Sequence, residues 1–166
     1  MPPELAMNVL PAATLAGYTQ PALIVPRLHE RDTAGIISEL SQVLQRQGTL
    51  PDVLPFYQAA LNHELLDNSA LECGIAFPHA RLSGVRHVQF AFGRCLEPVA
   101  WGTRGSSPVQ LVFLLAVPAT DATGYLHLLA SLARLGHQPE LLRELRIAPD
   151  SNSILAVLET IRLRQA

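Results

Sequence analysis

The most sustained apolar run of the chain extends from Val109 to Val117 and is broken only by Gln110. A run of that length, apolar on both faces, predicts a central strand, because a strand covered on both sides loses the usual alternation. Val88 to Cys95 does alternate: Val88, Phe90 and Phe92 share one face, and Gln89, Ala91 and Gly93 the other. Two shorter runs add strands, residues 23–25 closed by Pro26 and residues 75–77 closed by Pro78. Helical spacing takes over elsewhere. Ile36, Ile37, Leu40, Val43 and Leu44 predict a helix from Asp32 or Thr33, either of which can cap it, to about Gln47, with Gly48 ending it. A second helix begins near Pro51-Asp52 with Leu54, Tyr57, Leu61 and Leu65 as its apolar stripe, and Asn68-Ser69 opens a loop.

Ser83-Gly84 marks a turn, and residues 102–108 form a turn-rich connection. Residues 124–136 predict a helix with Tyr125, Leu128, Leu129, Leu132 and Leu135 inward. A shorter helix follows over residues 139–146. A last one runs from Ser151 or Ser153 to about Arg164, with Ile154, Leu155, Leu158 and Ile161 inward. Residues 1–20 show no clear period and are expected to be an N-terminal extension with at most one short helix; residues 21–166 read as one domain. Strands intermixed with helices predict an α/β fold, a single-domain mixed-sheet sandwich of about five strands flanked by helices on both faces.

Composition narrows the function classes. With 166 residues, 49% of them hydrophobic and 16% charged, the chain can bury a sizeable core and is not disordered. A formal net charge of -2, without a run of like charges, argues against a sequence-independent nucleic-acid binder. No basic residue precedes Arg27, so the charged region of a signal peptide is missing, and no apolar stretch reaches membrane-spanning length. The expectation is a cytoplasmic protein with no direct membrane insertion. Cys73 and Cys95 read as reduced thiols packed as small apolar residues, and Trp101 and Phe113 as core.

Candidate chemistry concentrates in residues 74–81, Gly-Ile-Ala-Phe-Pro-His-Ala-Arg. Pro78 cannot donate a ladder hydrogen bond, so His79 is expected at a defined strand exit. Imidazole is a neutral nucleophile near pH 7, and the Arg81 guanidinium matches phosphate oxygens in a fixed fork. A lone Pro-His at a strand end is also a common structural feature. His127, in the helix after the central strand, lies off the leucine face, and Ser69 and His63 could border the same pocket. A zinc site from His63, Cys73, His79 and His127 would use suitable ligand types, but no tight Cys-x-x-Cys or His-x-x-x-His spacing supports it.

Three blocks in order carry a family resemblance over roughly residues 20–163. They are residues 74–80 (GIAFPHA), residues 96–101 (LEPVAW) with 108–115 (PVQLVFLL), and residues 127–133 (HLLASLA). Together they resemble the enzyme IIA component of the bacterial phosphoenolpyruvate-dependent phosphotransferase system, in its fructose/mannitol/nitrogen-regulatory class. The resemblance implies that His79 accepts a phosphoryl group, on Nε2, from the phosphohistidine of an HPr-like carrier protein. It implies that His127 orients that phosphate, with Arg81, Ser69 and His63 as further phosphate-pocket candidates. The group would pass to a IIB domain or signal to a regulatory target protein. No metal or cofactor is called for, and a homo-oligomer is left open. The chain also departs from the family pattern: His63-Glu64 stands where members carry Arg-Glu, and Asn68-Ser69-Ala70-Leu71-Glu72-Cys73-Gly74 replaces a glycine-richer loop. Glu72 would bring negative charge to the phosphate if it points inward. These departures favour a second reading, a divergent regulatory binding module with weak or no phosphotransfer.

Overall fold

A strand that is apolar on both sides needs cover on both sides, and the sheet supplies it. The computed structural model describes residues 14–102 and 108–163. Most of the predicted N-terminal extension, most of the predicted connection at 102–108, and Arg164 lie outside the described residues. In chain order the elements are β1 (Ile24–Val25), α1 (Thr33–Arg46), α2 (Val53–Leu66), β2 (Ile75–Ala76), β3 (His79–Leu82), β4 (Gln89–Val99), β5 (Val109–Pro118), α3 (Ala122–Leu135), α4 (Pro139–Ile147) and α5 (Ser151–Glu159). Two 3-10 turns, Leu15–Tyr18 and Pro21–Leu23, precede β1.

The five strands form one mixed sheet in the order β1-β4-β5-β2, with β3 also paired to β5. β4 and β5 are antiparallel; β1 runs parallel to β4, and β2 and β3 run parallel to β5. On one face Phe90, Phe92, Leu111, Phe113, Leu115 and Val117 pack against Leu128, Leu132 and Leu135 of α3, Leu142 and Leu145 of α4, and Ile154 and Leu158 of α5. On the other face Ala91, Val112, Leu114 and Ala116 pack against α1 and α2. The predicted alternation of β4 and the two-sided burial of β5 are both found.

Asp32 caps α1 by accepting from the Gly35 N–H at 2.7 Å, and Gly48 follows the helix in the left-handed region at φ 81°. In α2 the expected stripe is not the buried one. Phe56, Ala60 and Glu64 face inward, whereas Leu54 and Leu65 are 55% and 41% exposed. Apolar residues occur on every side of this helix, so its pattern leaves the rotation about its axis undetermined.

Other boundaries move for local reasons. β4 continues past Cys95 to Val99 through an irregularity that begins after Arg94, and it regains β5 where Val99 pairs with Val109. α5 stops at Glu159, short of the predicted end near Arg164. There the Ile161 carbonyl accepts from the Leu15 N–H at 3.0 Å, and Arg162 bridges Thr14. That contact also draws Leu15 fully into the core. The N-terminal segment is therefore part of the packing from Thr14 onward, and not an extension as far as residue 20.

Candidate functional site

Pro78 interrupts a strand without ending it. Its missing N–H breaks the ladder between β2 and β3, but its carbonyl accepts from the Leu115 N–H at 2.9 Å, so pairing with β5 resumes at His79. His79 is therefore the first residue of β3 and not the exit of the preceding strand. The turn before β2 depends on Gly74. It sits at φ 94°, and its carbonyl accepts from the N–H groups of Gln110 and Leu111. Alternation along β3 puts Ala80 in the core and leaves His79 and Arg81 together on the opposite face.

The half-buried His79 ring lies between α2 and α3. Its Nδ1 is 3.4 Å from the Phe77 carbonyl oxygen, and its Nε2 is 3.0 Å from the Tyr125 hydroxyl. The His63 ring stands 4.6 Å away, centroid to centroid, and the Tyr125 ring 5.0 Å away. Burial pulls the His79 imidazole below its ordinary pKa of 6.5. The Phe77 carbonyl, Glu64 and Asp67 oppose that shift, and His63 adds to it. Burial pushes the Tyr125 phenol up, against the pull of Arg81, so it stays an O–H. A carbonyl can only accept, so the Phe77 contact is a hydrogen bond only in the tautomer with hydrogen on Nδ1; in that tautomer Nε2 presents a lone pair, to which the Tyr125 O–H donates.

The other candidates separate. His63 joins His79 directly. Arg81 is exposed and donates to the Ala119 carbonyl at 2.9 Å, within electrostatic reach of Tyr125. Ser69 does not offer a free hydroxyl: it donates to Glu64 Oε2 at 2.7 Å and accepts from the Phe77 N–H at 2.9 Å. His127 is half-buried on α3 two positions after Tyr125, and residues two apart on a helix do not share a face. Among the described residues no hydrogen bond or ring contact joins the His127 side chain to His79; the α3 side chain that reaches His79 is Tyr125. Glu72 is exposed and is not among the charges acting on His79, where Glu64 and Asp67 are.

Two participants were not singled out from the sequence. Tyr125 counted only as part of the α3 apolar face, although a tyrosine on an inward face brings a hydroxyl that needs a partner. Glu64 stands out from the sequence only as half of a His-Glu pair; it is 1% exposed and bonded to Ser69 and to Trp101. The residues weighed as zinc ligands do not assemble: among the described residues no group of three or more His, Cys, Asp or Glu is placed to hold a metal ion. Burial pushes the Cys95 thiol up to about 11, in keeping with a packing role, and Cys73 is half-buried. Among the described residues no helix is long and apolar enough to cross a membrane.

Comparison with known proteins places this geometry. Residues 18–161 match the family model described as phosphoenolpyruvate-dependent sugar phosphotransferase system, EIIA 2. The fructose-specific EIIABC component of the phosphotransferase system of Bacillus subtilis is 28% identical over 79% of this chain, which spans only 21% of that relative. A nitrogen regulatory protein of Bradyrhizobium diazoefficiens is 31% identical over 61% of this chain and 67% of its own length. The crystal structure of nitrogen regulatory protein IIA-Ntr from Neisseria meningitidis superposes with a TM-score of 0.74 at 26% identity, covering 87% of this chain and 98% of that one. With a match that takes in β1 through α5 and every residue around His79, the chain belongs to the EIIA 2 family of the phosphoenolpyruvate-dependent sugar phosphotransferase system.

Proposed function

We propose that the protein is a phosphocarrier of the phosphotransferase system, with His79 as the phosphoryl acceptor. The observation that carries this reading is the state of the ring. Nδ1 lies 3.4 Å from the Phe77 carbonyl oxygen, which favours the tautomer with the lone pair on Nε2 at the sheet edge, and burial favours the neutral imidazole. A phosphohistidine of an HPr-like protein approaches Nε2. The Nε2 lone pair forms the new N–P bond as the donor's N–P bond breaks, and that electron pair returns to the donor ring. Such a transfer depends on positioning and charge stabilisation and requires no metal. The Tyr125 hydroxyl, which now meets the lone pair, turns to a phosphoryl oxygen. Arg81 supplies a permanent positive charge, and His63 one only when protonated. His127, half-buried on the same helix as Tyr125, is the further candidate to orient the phosphate. The group then passes to a IIB domain, as the name of the EIIABC relative suggests, or its presence signals to a regulatory target, as the nitrogen regulatory relatives suggest. All of this takes place in the cytoplasm.

A second reading is favoured by one observation: the Tyr125 hydroxyl already engages the nitrogen that must attack, beside the His63 ring. The protein would then be a regulatory binding module that transfers poorly. The test mixes phosphoenolpyruvate, enzyme I, an HPr-like protein from the same source and this protein, and follows intact mass at alkaline pH. A gain of one phosphate, lost in His79→Ala, is expected. A folded protein that gains none overturns the phosphocarrier reading and favours the second.

A further inference from the structure

We propose that Glu64 is a positioning residue for His79, acting through Ser69 and Phe77 to select the ring tautomer that leaves Nε2 without hydrogen. Only the consequence for phosphoryl transfer rests on the proposed function; the tautomer does not. Glu64 is 1% exposed, and its Oε2 accepts three hydrogen bonds: from the Ser69 N–H at 2.8 Å, the Ser69 hydroxyl at 2.7 Å and the Trp101 indole N–H at 2.6 Å. Its Oε1 is buried without a hydrogen-bond partner, and among the described residues no basic side chain pairs with the carboxyl group. A charged or polar group held this deeply, with one oxygen crowded and the other bare, serves more than local packing.

The direction of the chain of bonds follows from what each group can do. Glu64 Oε2 already accepts from two groups that can only donate, the Ser69 and Trp101 N–H groups, so it bears no hydrogen; the Ser69 hydroxyl hydrogen therefore points to Glu64 and its oxygen lone pairs point away. One lone pair receives the Phe77 N–H at 2.9 Å. Phe77 is thereby held at the break between β2 and β3, just before Pro78, which has no N–H to anchor that stretch itself. Its carbonyl is left facing His79 Nδ1 at 3.4 Å. An oxygen there is compatible with Nδ1–H and repels an Nδ1 lone pair. The hydrogen therefore sits on Nδ1, and Nε2 carries the lone pair that the Tyr125 O–H meets at 3.0 Å. The contact at Nδ1 is long for a hydrogen bond, so its strength depends on how firmly Phe77 is held.

The experiment measures the side-chain 15N shifts of His79 by long-range 1H–15N correlation at pH 8. It uses the wild type, Ser69→Ala, Ser69→Thr and Glu64→Gln. The wild type is expected in the Nδ1–H form. Ser69→Ala, which removes one hydroxyl and leaves the Glu64–Trp101 bond, is expected to raise the Nε2–H population roughly 2- to 10-fold, the ratio that one net hydrogen bond is worth. The initial rate of phosphate uptake should fall in proportion to the lost Nδ1–H form. Ser69→Thr keeps the hydroxyl and should restore both. Glu64→Gln keeps an acceptor oxygen and should lie between. A wild type in the Nε2–H form, or Ser69→Ala and Glu64→Gln with unchanged tautomer ratios, overturns the proposal. A wild type that takes up no phosphate while its tautomer responds to Ser69→Ala overturns the phosphocarrier reading and leaves this one standing.

Discussion

α1 and α2 have the same length, start on aspartate caps and cover the same sheet face, yet their sequences constrain them differently. Asp32 accepts from the Gly35 N–H and Asp52 from the Leu54 N–H. α1 has one apolar side, and that side is buried as Ile36, Ile37, Leu40, Val43 and Leu44. α2 is apolar nearly all round, and burying Leu54, Tyr57, Leu61 and Leu65 would serve the hydrophobic effect about as well as burying Phe56 and Ala60. Glu64 breaks that near-tie, because its oxygen meets Ser69 and Trp101 in only one rotation of the helix. The same rotation brings the neighbouring His63 ring to 4.6 Å from His79. Where the apolar pattern is one-sided, hydrophobic burial sets the phase of a helix; where it is not, a few buried polar bonds do, and here they also build the site.

The contrast can be broken by substitution. Leu40→Ala in α1 should cost about 2 to 5 kcal/mol in urea unfolding, as a fully buried leucine does, and leave the His79 nitrogen shifts unchanged. Moved His79 shifts in that variant would mean that α1, too, positions the site. Trp101→Phe keeps the bulk but removes a donor to Glu64; it should cost roughly 1 to 3 kcal/mol by circular dichroism melts and denaturation and, unlike Leu40→Ala, perturb His79. Equal stability with the wild type would show that Glu64 does not hold α2 in place. Tyr125→Phe should cost about 0.5 to 1.5 kcal/mol and shift His79 Nε2, the atom it contacts.

pH sharpens the same division. The folded His79 binds its proton less readily than the unfolded ring, whose pKa is near 6.5. As pH falls below that value the unfolded state takes up the proton first, so stability drops until the folded ring protonates as well. The urea midpoint of the wild type should therefore fall more between pH 7.5 and 5.5 than that of His79→Gln, and the acid limb of phosphate uptake should lie below pH 6.5. An equal fall in both proteins would show that the His79 ring is not held neutral. The smallest effect is expected of Leu54→Ala, within about 0.5 kcal/mol because the side chain is 55% exposed. A loss as large as that of Leu40→Ala would restore the stripe read from the sequence.

Much of the framework was legible along the chain because it depends on neighbours in sequence. The burial of β5 on both faces, the alternation of β4, the Asp32 cap and Gly48 after α1 each follow from local spacing and backbone sterics, and the three motif blocks point to His79 and the family. The rotation of α2, the end of α5 at Glu159, the continuation of the strand beyond Pro78 and the meeting of Tyr125 with His79 do not. Each is decided by a partner far along the chain: Trp101 for Glu64, Leu15 for Ile161, Leu115 for Pro78, His79 for Tyr125. Hydrophobic periodicity records which side of an element avoids water. It does not record which hydroxyl or carboxylate has a partner waiting, because that partner arrives only when distant segments pack, and at this site those partners settle which atoms face His79.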